Sequence, residues 1–120
     1  ISKILKKLYP DAKAELNYSN PFELLIATIL SAQTTDITVN KITPELFKKY
    51  PTPAMLSKSK QTDVERIIRP SGFYHNKAKN IIETSKILVE KFNSKVPDNM
   101  EGLLQLRGVS RKTANVVLAN

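Results

Sequence analysis

The sequence has no cysteine and only one histidine, His75, and the lack of these residue types excludes several kinds of chemistry. Without a thiol, the 120 residues cannot form a disulfide, a thiolate zinc site, a cysteine-ligated iron–sulfur cluster or a cysteine nucleophile. With a single imidazole, they cannot form a multi-histidine metal site or a pair of catalytic histidines. We therefore expect no cofactor and no metal site built from side chains of this chain.

Glycine and long apolar runs are also scarce. The chain has three glycines and no sustained alternation of apolar and polar residues, so signals for β-strands are weak. Its longest apolar run, 24–30, is interrupted by Thr28 and is far shorter than the ~18 residues that span a bilayer. Residues 1–9 mix lysine with isoleucine and leucine like a short amphipathic helix, without the continuous apolar core of a signal peptide. We expect an intracellular protein with no membrane contact.

The chain is basic and long enough for one folded domain. It has 19 Lys and Arg against 11 Asp and Glu, a net charge of +8, and 41% hydrophobic residues. A chain of this length can bury a working core without disulfides or metals. The charge suits a polyanionic partner such as nucleic acid, although solvated lysine faces are the more common cause of such an excess.

Helical periodicity predicts an all-α domain of six or seven short helices. Asn20 and Pro21 provide a cap and a first-turn proline for an apolar, central helix that runs to about Ala32. Apolar residues repeat at helical spacing over four turns between Ala78 and Phe92. Asp36, Asp63 and Asp98 are expected at helix caps. Further helices are predicted from Asp36, with Pro44 as a kink or a break, over 54–58, from Thr62 or Asp63 to Ile68, from 97–98 to Gly108, and from Ser110 onward.

Residues 103–115 are the segment most informative about function, and they predict a helix, a tight turn and a second helix. Gly108 can adopt the backbone geometry of a sharp turn without a Cβ clash. The second helix begins with free N–H groups and the positive end of its dipole. Arg111 and Lys112 lie in that first turn, where a bound phosphate would favour them. An ordinary helical hairpin with two solvated basic side chains explains the same pattern equally well.

This segment resembles the helix-hairpin-helix of the endonuclease III family of DNA glycosylases, whose hairpin usually has the pattern L-P-G-V-G-x-x-T-A. Arg107 replaces the usual proline and adds a charge within reach of a phosphate. Ser110 replaces the second glycine, and its hydroxyl is expected to cap the following helix. Two further family motifs occur in the same order, S-A-Q-T-T-D at 31–36 and G-F-Y-H-N-K-A at 72–78. The resemblance covers nearly the whole chain.

The resemblance implies a six-helix barrel domain that is mostly present in these residues. We assign 1–20 to an N-terminal helix and lead-in, and 21–120 to the barrel domain, which ends in the helix-hairpin-helix at 103–120. The family's catalytic Asp and its four-cysteine [4Fe–4S] loop lie further along than residue 120. We therefore expect a truncated chain that lacks most of the second domain and is inactive alone. The full-length protein is expected to be a monomer.

Lys112 occupies the position that, in this family, marks enzymes with both glycosylase and AP-lyase activity. The resemblance implies that its amine attacks the sugar C1′ of a flipped nucleotide and forms a Schiff base. The substrate it implies is double-stranded DNA with an oxidised pyrimidine or an abasic site. Desolvation and neighbouring cations would favour the uncharged amine. In the alternative that stays open, Lys112 only contacts a backbone phosphate.

The resemblance also implies DNA contacts from two loops and from the hairpin. Gln33 matches the residue that fills the space left by the flipped nucleotide, and Phe73 matches an apolar wedge between bases. His75 and Lys77 flank Phe73 and are candidate phosphate contacts. Three alternatives also stay open: a helix C-terminal role for Gln33, core packing for Phe73 and plain solvation for His75. In the hairpin, the predicted DNA contacts are Arg107, Gly108, Val109, Ser110, Arg111 and Thr113.

Two other functions also fit the sequence. The chain could be a DNA-binding module without catalysis that uses 108–113 as a phosphate clamp, or a helical protein-interaction domain. The family resemblance further implies a monovalent cation held by carbonyls of the hairpin. It implies a DNA-associated protein, cytoplasmic in a prokaryote or nuclear in a eukaryote.

Overall fold

The computed structural model describes residues 16–120, so the helix predicted at 1–9 and most of the predicted 1–20 lead-in lie outside the described residues. Residues 16–120 contain no strand, which confirms the all-α prediction. The assigned domain boundaries remain predictions. The elements in chain order are α1 Pro21–Leu30, α2 Asp36–Lys49, α3 Pro53–Ser57, α4 Gln61–Ile68, a 3-10 turn Arg69–Ser71, α5 Tyr74–Lys91, α6 Met100–Leu103 and α7 Arg111–Ala119.

The α1 helix forms the centre of the core, as its sequence predicts. Eight of its ten residues are buried, Pro21 and Glu23 being the exceptions. It packs against α2, α5 and α7, while α5 also packs against α3 and α4. The buried hydroxyl of Thr28 donates to the carbonyl of Leu24 at 2.7 Å, so this polar group is satisfied inside the apolar helix. No helix formed by residues 16–120 has both the length and the apolar character that a bilayer crossing requires.

The prediction that aspartates cap the helices is wrong. Thr35 caps α2 and Asn99 caps α6, in each case with a side-chain oxygen that accepts a backbone N–H three residues later. The aspartates at 36 and 98 are therefore displaced from the cap by one residue, because a neighbour with a short polar side chain holds the extended cap geometry. The α4 helix begins at Gln61 after Lys60, without a side-chain cap bond, so neither Thr62 nor Asp63 caps it.

The structure decides between the two alternatives for Pro44 and shortens the helix predicted from 97–98. The α2 helix continues through Pro44 as one element, because Ile42 and Leu46 on either side of the proline are buried in the core. The helix predicted from 97–98 to Gly108 is only the single turn α6. The chain after α6 tightens into i→i−3 hydrogen bonds, which bring Leu106 N–H within 3.1 Å of the Leu103 carbonyl.

Candidate nucleic-acid interface

The hairpin between α6 and α7 has the tight glycine turn that its sequence predicts. Gly108 has φ +78°, and a Cβ on this residue would lie 3.0 Å from the side chain of Asn80. Val109 is buried, which anchors the turn against the core. Ser110 caps α7, because its hydroxyl oxygen accepts the Thr113 N–H at 3.3 Å. Arg111 and Lys112 are exposed beside the helix N-terminus.

The α5 helix holds the hairpin from behind. The Thr84 hydroxyl donates to the Arg107 carbonyl at 2.5 Å, and Thr84 is fully buried. The Arg107 Nε lies 3.3 Å from Asn80 Oδ1 and 3.4 Å from Glu83 Oε2, so its half-exposed guanidinium is tethered to α5. The sequence did not single out these α5 residues. A polar Thr84 within the apolar stripe of a predicted helix was the one available signal.

Lys112 and Gln33 line the same cavity. This cavity of about 330 Å³ lies between the end of α1 and the first turn of α7, and the residues around it are Thr28, Ser31, Ala32, Gln33, Ser110, Lys112, Thr113 and Val116. The two residues are 79 positions apart in the sequence, and the packing of α1 against α7 brings them together. The lining contains hydroxyls, an amide and an amine but no carboxylate.

Gln33 is not the last residue of a helix. The α1 helix ends at Leu30, and Gln33 lies in the turn that leads to α2 with a left-handed backbone, φ 58°. A residue with a Cβ rarely adopts this conformation, and such backbone strain is concentrated at functional sites. The side chain is exposed, so it is available to a ligand at the rim of the cavity.

Phe73 is exposed, so the core-packing alternative is wrong. It is 65% accessible and also has a left-handed backbone, φ 46°. It follows Gly72, whose φ of +72° turns the chain out of the 3-10 element and into α5. A large apolar side chain is therefore presented to solvent at the tip of a short loop, where it is available to pack against a partner.

Lys77 lies inside this loop instead of on its surface. It is buried, its ammonium donates to the Ser71 carbonyl at 2.9 Å, and burial lowers the pKa of Lys77 below its ordinary value. A phosphate contact by Lys77, as predicted from the sequence, would require this buried hydrogen bond to break. In the structure Lys77 supports the backbone that precedes Phe73.

His75 remains at the surface, where Glu65 holds it. Its Nδ1 lies 2.9 Å from Glu65 Oε1, and Gln61 donates to the other carboxylate oxygen at 2.9 Å. These hydrogen bonds hold the pKa of Glu65 below its ordinary value, and the bond from Gln61 has the larger effect. A second cavity of about 220 Å³ adjoins this pair, and its other lining residues are Thr62, Arg66, Arg69 and Tyr74. The sequence did not single out the two arginines.

Side chains that could hold a metal ion are scarce among residues 16–120. The sequence has no cysteine, and residues 16–120 hold no group of three acidic or histidine side chains suited to a metal ion. A monovalent cation at the hairpin stays a prediction. Two hairpin carbonyls already accept hydrogen bonds, Arg107 from the Thr84 hydroxyl and Leu106 from the Val109 N–H.

Comparisons with known proteins agree with this geometry. Residues 26–118 match the model of the HhH-GPD superfamily base excision DNA repair proteins. The chain is 54% identical over 117 residues to endonuclease III of Synechocystis sp., covering 98% of this chain and 53% of that relative. It is 48% identical over 114 residues to endonuclease III of Escherichia coli K12, covering 95% of this chain and 54% of the relative.

Solved structures give the same result. A non-covalent endonuclease III–DNA complex superimposes with a TM-score of 0.88 at 47% identity, and a trapped endonuclease III–DNA covalent intermediate with 0.87 at 48%. Each match covers 98% of this chain and 55% of the solved chain, so the chain spans about half the length of these relatives. The chain belongs to the HhH-GPD superfamily of base excision DNA repair proteins and, within it, is similar to endonuclease III.

Proposed function

We propose that the full-length protein containing this chain is a DNA N-glycosylase with AP-lyase activity on oxidised pyrimidines in double-stranded DNA. The observation that carries the proposal is the shared cavity of Lys112 and Gln33 between α1 and α7. It places an amine, the first turn of a helix and an exposed amide around one space. The similarity to DNA-bound and covalently trapped endonuclease III supports DNA as the ligand.

In the proposed reaction, Lys112 is the nucleophile. Its uncharged Nζ attacks C1′ of the flipped nucleotide, the glycosidic bond breaks, and the base leaves with the bonding electron pair and takes up a proton. The amine loses its proton and the sugar ring opens to a Schiff base. Loss of a C2′ proton then expels the 3′ phosphate by β-elimination. The cavity lining has no carboxylate to accept these protons, so the acid–base partner is a group outside the described lining.

Gln33 and Phe73 would stabilise the DNA while the nucleotide is flipped. Both side chains are exposed at the tips of short turns, and both turns are fixed to the helical core. Gln33 can hydrogen-bond in the space that the nucleotide leaves, and Phe73 can stack between neighbouring bases. Lys77 supports this by holding the Phe73 loop in place from beneath.

Borohydride trapping on a duplex with one abasic site tests the proposal. The full-length protein should form a covalent adduct with the DNA, and Lys112→Ala should form none. Arg111→Ala is the matched control, because it removes the adjacent exposed cation of α7 and should retain the adduct at saturating protein. An adduct that persists in Lys112→Ala would show that another amine is the nucleophile.

A second candidate is a DNA-binding module without catalysis. The absence of a carboxylate in the lining of the Lys112 cavity favours it. In that case Lys112 and Arg111 would bind phosphate at the N-terminus of α7. Salt-dependent binding of the full-length protein to duplex DNA, with no adduct under any trapping condition, would support this candidate over the enzyme.

A further inference from the structure

The cavity of about 220 Å³ beside His75 has a cationic mouth. It lies between α4 and the first turn of α5, directly after Phe73 in the chain. The side chains of Arg66 and His75 are exposed by 63% and 71%, whereas the side chain of Glu65 is only 14% exposed. The side chains of Arg66 and His75 therefore face solvent, while the one carboxylate among the lining residues is largely covered by its neighbours.

Glu65 is already bound by neighbouring side chains. One carboxylate oxygen lies 2.9 Å from His75 Nδ1 and the other accepts from Gln61 Nε2 at 2.9 Å. This pairing fixes the imidazole of His75 at the rim of the cavity. Glu65 therefore orients a cavity residue and has its two oxygens occupied.

Arg69 is held in a defined position. Its guanidinium lies over the Tyr74 ring, 5.3 Å from the centroid, and Nη2 is 3.4 Å from the Tyr74 hydroxyl. These two contacts restrain the guanidinium, whose planar set of N–H groups is suited to binding two oxygens of one anion. Arg66 pairs with Glu45 at 3.9 Å, but both side chains are largely exposed, so this weak pair can separate to bind a stronger anion.

We propose that this cavity is a phosphate-binding site for the DNA backbone next to the Phe73 loop, with Arg69 as its principal donor and Arg66 as its supporting donor. The inference rests on the proposed function, since the phosphate belongs to a duplex that contacts Phe73 and Gln33. Phosphate contacts fix the register of a protein on DNA. This site would hold the strand at the point where the Phe73 ring inserts.

The test compares how salt weakens DNA binding in matched variants of the full-length protein. Arg69→Gln removes one cation from the cavity, and Lys91→Gln removes one exposed cation from the other end of α5, about 25 Å away at 1.5 Å per residue. Fluorescence anisotropy with a duplex that carries a stable abasic-site analogue gives the affinity between about 0.05 and 0.4 M NaCl. The logarithmic slope counts the phosphate contacts.

Arg69→Gln should lower the magnitude of that slope by about 0.9, which weakens binding about fivefold at 0.15 M salt. The plots of affinity against salt for this variant and the unmodified protein should converge near 1 M. Lys91→Gln should leave the slope unchanged. Arg66→Gln provides a second variant that does not touch Tyr74, and it should lower the slope in the same direction. Circular dichroism of each variant verifies the fold.

Equal slopes for Arg69→Gln and Lys91→Gln, with normal binding by the unmodified protein, would overturn this inference and leave the proposed function intact. Failure of the unmodified protein to bind any duplex would overturn both. Titration with inorganic phosphate, followed by NMR of the His75 ring, separates a free-anion site from a DNA site. Binding of phosphate that Arg69→Gln abolishes, combined with an unchanged DNA slope, would also overturn the inference.

Discussion

The hydroxyl of Thr84 and the main-chain carbonyl of Arg107 form a 2.5 Å hydrogen bond that links the middle of α5 to the turn before α7. Thr84 is fully buried, so solvent cannot easily replace this bond for its hydroxyl. The position of the hairpin thus depends on a buried side chain of another helix.

Thr84→Val should destabilise the protein and weaken DNA binding. Valine has nearly the same shape as threonine but cannot donate, so the free energy of unfolding should fall by about 1 kcal/mol. Thr84→Ser keeps the hydroxyl and should retain the affinity for duplex DNA. Urea unfolding and anisotropy measure the two effects. Equal DNA affinity in the valine and serine variants would show that the hairpin does not need this bond.

Replacing Phe73 should affect function and leave stability nearly unchanged. The side chain is 65% exposed, so Phe73→Ser should change the free energy of unfolding by no more than about 0.5 kcal/mol. The affinity of the Phe73→Ser variant for a duplex with an abasic site should fall several-fold, because the apolar wedge is lost. Phe73→Leu keeps an apolar side chain and should bind like the unmodified protein. A large loss of stability in Phe73→Ser would instead indicate a packing role.

Lys77 should make stability rise with pH in the alkaline range. Burial lowers the pKa of Lys77 in the folded state below the ordinary value of 10.5. At pH values between the folded-state pKa and 10.5, the unfolded chain therefore binds more protons than the folded chain. Since stability increases with pH wherever the unfolded state binds more protons, the rise should occur as pH approaches 10.5 from below. Urea unfolding from neutral pH to 10.5 should show this rise relative to Lys77→Met.

Lys79→Met is the control for that experiment, because Lys79 is an exposed lysine on the same helix. Its stability should follow the unmodified protein across the alkaline range. If Lys77→Met and the unmodified protein have parallel pH profiles, the ammonium of Lys77 is not buried as the structure has it.

Gly102→Ala should destabilise the protein although alanine is the better helix former. Helix propensity alone predicts a gain of about 1 kcal/mol within α6. The new methyl group would lie 2.6 Å from the Cβ of Pro97, a contact that a rigid ring cannot relieve without moving the backbone. The clash should outweigh the gain and give a net loss in urea unfolding. The double variant Gly102→Ala with Pro97→Gly, compared with Pro97→Gly alone, should recover the helix gain.

Local sequence signals determined the helices but not all of their ends. The apolar residues of α1 and the 3.6-residue period of α5 predict these elements directly, and Ser110 was correctly expected to cap α7. The cap of α4 and the length of α6 were predicted incorrectly. The α4 helix begins without a side-chain cap bond and the chain after α6 continues in i→i−3 hydrogen bonds, and a pattern of residue types determines neither outcome.

The candidate site could be predicted in part. Gly108, Lys112 and the two loop motifs are visible in the sequence, but the common cavity of Lys112 and Gln33 depends on the packing of α7 against α1. The exposure of Phe73 and the burial of Lys77 also depend on tertiary structure. These two residues lie four positions apart in one motif, and the fold places one in solvent and the other inside.

The α5 helix connects the two surfaces that are proposed to bind DNA. It begins one residue after Phe73 and reaches the hairpin through Asn80 and Thr84. At 1.5 Å per residue, these attachment points are separated by about 9–15 Å of continuous helix. The loop and the hairpin therefore cannot move independently, because the continuous helix keeps the distance between them constant. A bend introduced in the first half of α5 would change the position of the loop relative to the hairpin, so the two surfaces would no longer fit one duplex together.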